Sequence, residues 1–163
     1  MLFRNFITSP TPLLRKSSFQ KISGFESKYI PYEDWECWIR LSLLGKFYFI
    51  NEPLSYYRIH PAQSVKIATA KKIEKVTSLL LINSLSLKDV SKKVKNKALG
   101  LANLRFCYWY LLSNEINIAK EKINKAIELY PEFIFDPRWY GLKIVCSFPQ
   151  LLGKGIFNLE QYH

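Results

Sequence analysis

At 163 residues, with 48% hydrophobic and 15% aromatic side chains, the chain can bury one ordinary domain or a small domain with a helical extension, and this composition argues against global disorder. Its three cysteines (Cys37, Cys107, Cys146) are far apart, odd in number and without a C-x-x-C pair, which argues against a disulfide framework or zinc site and for a reducing compartment. The net charge of +11 sits in the middle: residues 66–125 carry thirteen basic against four acidic side chains, residues 1–60 eight against five, and residues 126–163 three against four.

The first residues do not open a signal peptide, because Asn5, Thr8, Ser9 and Pro10 interrupt the apolar run. Phe6-Ile7 and Leu13-Leu14-Arg15 read as short extended pieces broken at Pro10 and Pro12, and Lys16 to Ile22 as one or two helical turns stopped by Gly24. Pro31 then precedes Tyr32-Glu33-Asp34-Trp35-Glu36-Cys37-Trp38-Ile39-Arg40. This segment predicts a helix from about Asp34 to Leu44, ended by Gly45, with Asp34 at or next to the N-cap. Trp35, Trp38 and Ile39 fall on one face and Arg40 on another. Alone, the segment reads first as a capped helix with a tryptophan core stripe. Its second reading is a fixed carboxylate, walled by indoles, that can serve as a general base toward a sugar hydroxyl. Residues 46–50 and 54–59 are aromatic-rich and predict two strands around the Asn51-Glu52-Pro53 turn.

From Ala62 onward the pattern predicts helices, from about Ser64 to Ser86, Lys88 to Leu112, Ile116 to Tyr130, and Pro137 to about Leu152 with a bend at Pro149. Over roughly residues 100–133, Tyr110, Ala119, Ala126 and Pro131 resemble the tyrosine, small-residue and closing-proline positions of a tetratricopeptide repeat. The tryptophan and glycine positions of that repeat carry Asn103 and Cys107 instead.

Four features of the first sixty residues come in a specific order. They are Thr11 to Phe19, then Ser23-Gly24-Phe25-Glu26, then Glu33-Asp34-Trp35 with Arg40, then Gly45-Lys46-Phe47 leading to Glu52-Pro53-Leu54-Ser55-Tyr56-Tyr57-Arg58-Ile59-His60. In this order, over about residues 3–65, they closely resemble the C-terminal, acceptor-side half of family 2 glycosyltransferases with the GT-A fold. The resemblance implies Asp34 as catalytic base, Glu33 as an acceptor contact, and Trp35 and Trp38 as side chains that support or line the sugar site. It maps the family's Arg-x-His element onto Arg58 and His60, which would approach the donor pyrophosphate and, through His60, the metal bound to it. Intact relatives of hexosyltransferase type use a nucleotide-diphosphate sugar, a divalent cation (Mn or Mg) and an inverting displacement onto a polysaccharide, lipid-linked or protein acceptor.

One departure is an absence. The only aspartates are Asp34, Asp89 and Asp136, so the family's metal-binding D-x-D motif is missing, and no glycine-rich loop or βαβ unit precedes Asn5. The expectation is half a site, a glycosyltransferase fragment inactive alone unless a separate N-terminal half or protein partner supplies the donor pocket. The alternative is a non-catalytic helical protein-interaction module. No nucleic-acid motif accompanies the lysines. The expected fold class is α+β, mostly α: an incomplete α/β GT-A remnant over residues 1–62, then an α-helical array over residues 63–163. No apolar stretch reaches membrane-spanning length, so the expected location is cytoplasmic, with peripheral contact at the inner membrane face.

Overall fold

The computed structural model of the chain describes residues 1–62, 68–86 and 90–151. The expected helix starts at Ser64 and Lys88, and the expected end near Leu152, lie outside them. The described residues are mostly helical and contain no strand. They belong to two compact units, Met1–Ala68 with Lys75–Lys88, and Thr69–Glu74 with Asp89–His163.

The first unit holds α1 (Lys16–Lys21), a short 3-10 helix (Ser27–Tyr29) and α2 (Glu33–Ser42). Its core forms where Cys37, Trp38 and Leu41 of α2 meet Met1, Ile7, Leu14, Phe19 and Ile22. Phe25 sits edge-on between Phe19 and Trp38, at centroid distances of 5.1 and 6.0 Å. The helix α3 (Ala70–Ser86) is divided between the units. Within the first, its Asn83 donates from Nδ2 to the hydroxyl of buried Tyr29 at 2.7 Å. The buried positions of α3 within the first unit (Val76, Thr77, Leu80, Leu81, Ser84, Leu85) recur every three or four residues, the stripe that a helix with one core-facing side requires.

The strands predicted at residues 46–50 and 54–59 are not formed. Every residue from 43 to 62 is exposed and none of them is in a helix or strand. The physical reason is pairing: β structure is stable only when neighbouring strands satisfy its backbone groups, and side-chain propensity cannot substitute for that ladder. The short pieces read as extended at Phe6-Ile7 and Leu13-Arg15 carry no regular structure, and Arg15 is in the extended region, at φ −70° and ψ 120°.

The second unit is built on α4 (Lys92–Leu112), α5 (Ile116–Leu129), a 3-10 turn (Pro131–Phe135) and α6 (Pro137–Ser147). Ser91 caps α4 by accepting from the Val94 amide. The α4–α5 turn is a Schellman motif: Asn114, at φ 58°, donates to the Leu111 carbonyl, and Glu115 donates to that of Tyr110. The short turn folds α5 back along α4. Ala119, Ile123 and Ala126 fill the buried face of α5, and small residues there permit a close approach. Gly100 of α4 is needed for the same reason, since a Cβ would lie 2.5 Å from the Phe133 ring and 3.2 Å from the Ala126 carbonyl oxygen. Tyr110 is buried and donates to Glu74 at 2.7 Å, and Lys122 pairs with the same carboxylate at 2.8 Å. Pro131 opens the 3-10 turn after α5, and α6 stops at Ser147, before Pro149.

Candidate functional site

The expected base lies at the start of α2. Tyr32, not Asp34, is the N-cap residue, and it offers no side-chain cap. Asp34 is the second residue of the helix. Its Oδ1 accepts the Trp35 amide at 2.6 Å, so it satisfies a free first-turn donor from inside the helix rather than from the cap. Glu33, Asp34 and Glu36 all fall in the first turn, where the helix dipole favours negative charge. The other oxygen, Oδ2, accepts the hydroxyl of Ser9 at 2.6 Å.

Ser9 reaches Asp34 because the tryptophans hold the N-terminal segment. Trp35 donates from Nε1 to the Met1 carbonyl at 2.9 Å, and Trp38 donates to the Ile7 carbonyl, two residues before Ser9, at 3.2 Å. Both indoles are 2% exposed. The rings are spent on the core and on two backbone carbonyls, leaving no open face for a ligand to stack on.

The far end of α2 is fastened as well. Arg40 forms a forked ion pair with Glu36 of the same helix, and its remaining guanidinium hydrogens reach the carbonyls of Ile22 and Gly24, the latter at 2.7 Å. Those carbonyls belong to the turn that closes α1. Ser23 and Gly24 are both left-handed there, at φ 60° and 70°, and their amides bond back to Gln20 and Phe19. The hydrogen bonds to Glu36 raise the Arg40 pKa, and Glu36 is buried. Burial also pushes the Cys37 thiol up to about 11, so this cysteine is a core side chain rather than a nucleophile.

Other expected site residues are placed less tightly. Glu33 has one carboxylate oxygen, Oε2, buried with no hydrogen-bond partner among the described residues. Arg58 and His60 are exposed, on the segment that lacks regular structure. Among the described residues, no three His, Cys, Asp or Glu side chains stand together as a metal-binding group. With D-x-D absent from the sequence, the donor set of this chain does not by itself fit a divalent cation, and no step is drawn through one.

Two members of the site were missed in the sequence. Glu36 had a readable signal, lying four residues before Arg40 on a helix. Ser9 had none, since it is twenty-five residues from its partner. Comparisons with protein-family models, curated proteins and solved structures gave no match for this chain.

Proposed function

We propose that the first unit is the acceptor-side part of a family 2 glycosyltransferase, with Asp34 as general base. The supporting observation is the Ser9–Asp34 hydrogen bond. An exposed hydroxyl already donates to Asp34 Oδ2, so an O–H group can reach this carboxylate from solvent. An acceptor sugar hydroxyl would take the place of the Ser9 hydroxyl. Its oxygen would bond to the anomeric carbon, the bond to the pyrophosphate oxygen would break, and the proton would pass to Asp34. The hydroxyl becomes acidic only late in such a displacement, so an ordinary carboxylate suffices. Glu33, beside Asp34 in the first turn of α2, keeps the role of acceptor contact that the resemblance gives it. The exposed aromatic segment 43–62 is in keeping with a missing partner half, and Arg58 and His60 on it would meet the donor only in the assembled enzyme.

The test mixes the full chain with the donor-binding half of a family 2 relative and follows transfer from a nucleotide-sugar. Expected are no transfer by the chain alone, transfer by the mixture, and a loss of roughly a hundredfold or more in Asp34→Asn. Efficient transfer without a partner would refute the half-site reading. A mixture whose activity ignores Asp34→Asn would refute the assigned base. The helical-module alternative has its own support in the closely apposed α4–α5 pair, and predicts that Asp34→Asn and His60→Ala leave the biological role intact.

A further inference from the structure

The helix α6 is apolar on two sides. Trp139, Leu142, Val145 and Cys146 are buried within its unit. On the other side Tyr140 and Ile144 lie one turn apart, exposed by 52 and 43%, and Phe148, which ends the helix, is exposed by 54%. Ile134 and Phe135, on the 3-10 turn that leads into the helix, are exposed as well, Phe135 by 81%. A helix surface of this kind ordinarily has an occupant.

The charges around the row indicate which occupant. Arg138 and Lys143 project from α6 itself and are exposed, and the Lys143 ammonium lies 4.6 Å from the Trp139 ring centre. Lys97, from α4, stands close enough to Asp136 to help hold its carboxylate ionised. The acidic groups at this edge are already neutralised: Glu132 pairs with Lys93 at 2.8 Å and Asp136 with Arg138 at 2.6 Å. The rim is therefore cationic in excess.

We infer that the exposed face of α6, with Phe135 ahead of it, docks on an anionic lipid surface, its apolar row entering the headgroup boundary and its lysine rim meeting lipid phosphates and carboxylates. Both features are needed for this mode of attachment: the apolar residues and Lys143 lie on one short segment, and Lys97 of α4 adds to the rim. A second copy of the chain fits less well, because it would bring two cationic rims together. Nucleic acid would leave the aliphatic Ile134 and Ile144 without a role. The inference is independent of the glycosyltransferase reading, which concerns the other unit.

The experiment is flotation of the full chain with phosphatidylcholine vesicles, with and without about one third phosphatidylserine. Expected is binding to the anionic vesicles only, weakening as salt rises. Phe135→Ser with Ile144→Ser should lower the partition coefficient by about tenfold or more, and Lys97→Ala with Lys143→Ala by about fivefold per lost cation. Helical circular dichroism should be unchanged in each. If the double serine variant loses it, Phe135→Ser alone decides, with the same direction expected. Failure of the wild-type chain to float with anionic vesicles overturns the inference. So does flotation indifferent to the serine substitutions, or a concentration-dependent dimer that those substitutions abolish.

Discussion

Arg40 and Glu36 lie one turn apart on α2 and meet fork to fork, Nε to Oε1 and Nη2 to Oε2, each at 2.6 Å. The pair joins the tryptophan helix to the turn that ends α1, because the same guanidinium also donates to the carbonyls of Ile22 and Gly24. Removing one partner strands the other inside the protein: the Glu36 side chain is only 8% exposed. Arg40→Ala should therefore destabilise the first unit by about 3 kcal/mol. Arg40→Lys should recover little, since an ammonium cannot reproduce the planar fork. Urea unfolding read by tryptophan fluorescence measures both, and an Arg40→Ala variant as stable as wild type would show that the pair contributes nothing net.

The turn that Arg40 grips is held in an unfavourable backbone conformation at Ser23, whose φ of 60° crowds a Cβ. Ser23→Gly should stabilise the unit, by about 0.5–1 kcal/mol after the greater freedom of glycine in the unfolded chain is subtracted. Gly24→Ala should act in the opposite direction, because φ is 70° and the added methyl would meet the Phe19 ring at 3.3 Å. Equal and small effects at the two positions, in the same unfolding assay, would contradict this account of the turn.

In the second unit α4 is closely approached at Gly100. A methyl there would sit 2.5 Å from Phe133, which is buried, and 3.2 Å from a backbone oxygen of α5 that cannot swing aside. Gly100→Ala gains helix propensity on α4, about 1 kcal/mol in an exposed helix. The overlap should outweigh this gain and leave a net loss of about 1–3 kcal/mol. Phe133→Leu in the Gly100→Ala background should restore part of the loss by vacating the ring edge. Thermal unfolding of the three variants decides, and a Gly100→Ala protein more stable than wild type would mean that the two helices move apart freely.

What could be read in the sequence followed the range of the interactions. The buried stripe Trp35-Trp38-Ile39, the break between Leu112 and Ile116, and the start of α6 at Pro137 are set by neighbours within a few residues, and each is found close to where the pattern put it. Residues 46–59 have β-forming side chains too, but a strand needs a second strand, and none is formed among the described residues. Asp34 was placed within one or two residues, yet its working environment depends on Ser9, brought there by indole bonds to Ile7 and Met1 that no local pattern encodes. The same holds for Arg40. Its pairing with Glu36 is local, whereas its grip on the Ile22 and Gly24 carbonyls arises only on folding.

Asp136 should make the second unit sensitive to acid. Its carboxylate caps α6 by accepting the Arg138 amide at 2.9 Å, and it also binds the Arg138 guanidinium. Those hydrogen bonds hold its pKa below the ordinary value of 3.8. A depressed folded pKa means that the unfolded chain takes up the proton first as pH falls. The stabilisation is thus fully present above the unfolded value and fades as pH drops through the folded one. At neutral pH, Asp136→Ala should cost about 1 kcal/mol for the lost cap. Asp136→Asn keeps an acceptor for the Arg138 amide but loses the charge, so its cost should be smaller at neutral pH. That cost should shrink toward zero as pH falls through the lowered folded pKa, where the wild-type carboxyl itself becomes neutral. Unfolding curves of wild type and both variants across the acid range test the sign. A gap between wild type and Asp136→Asn that stays constant with pH would show that the carboxylate's charge does not stabilise the fold.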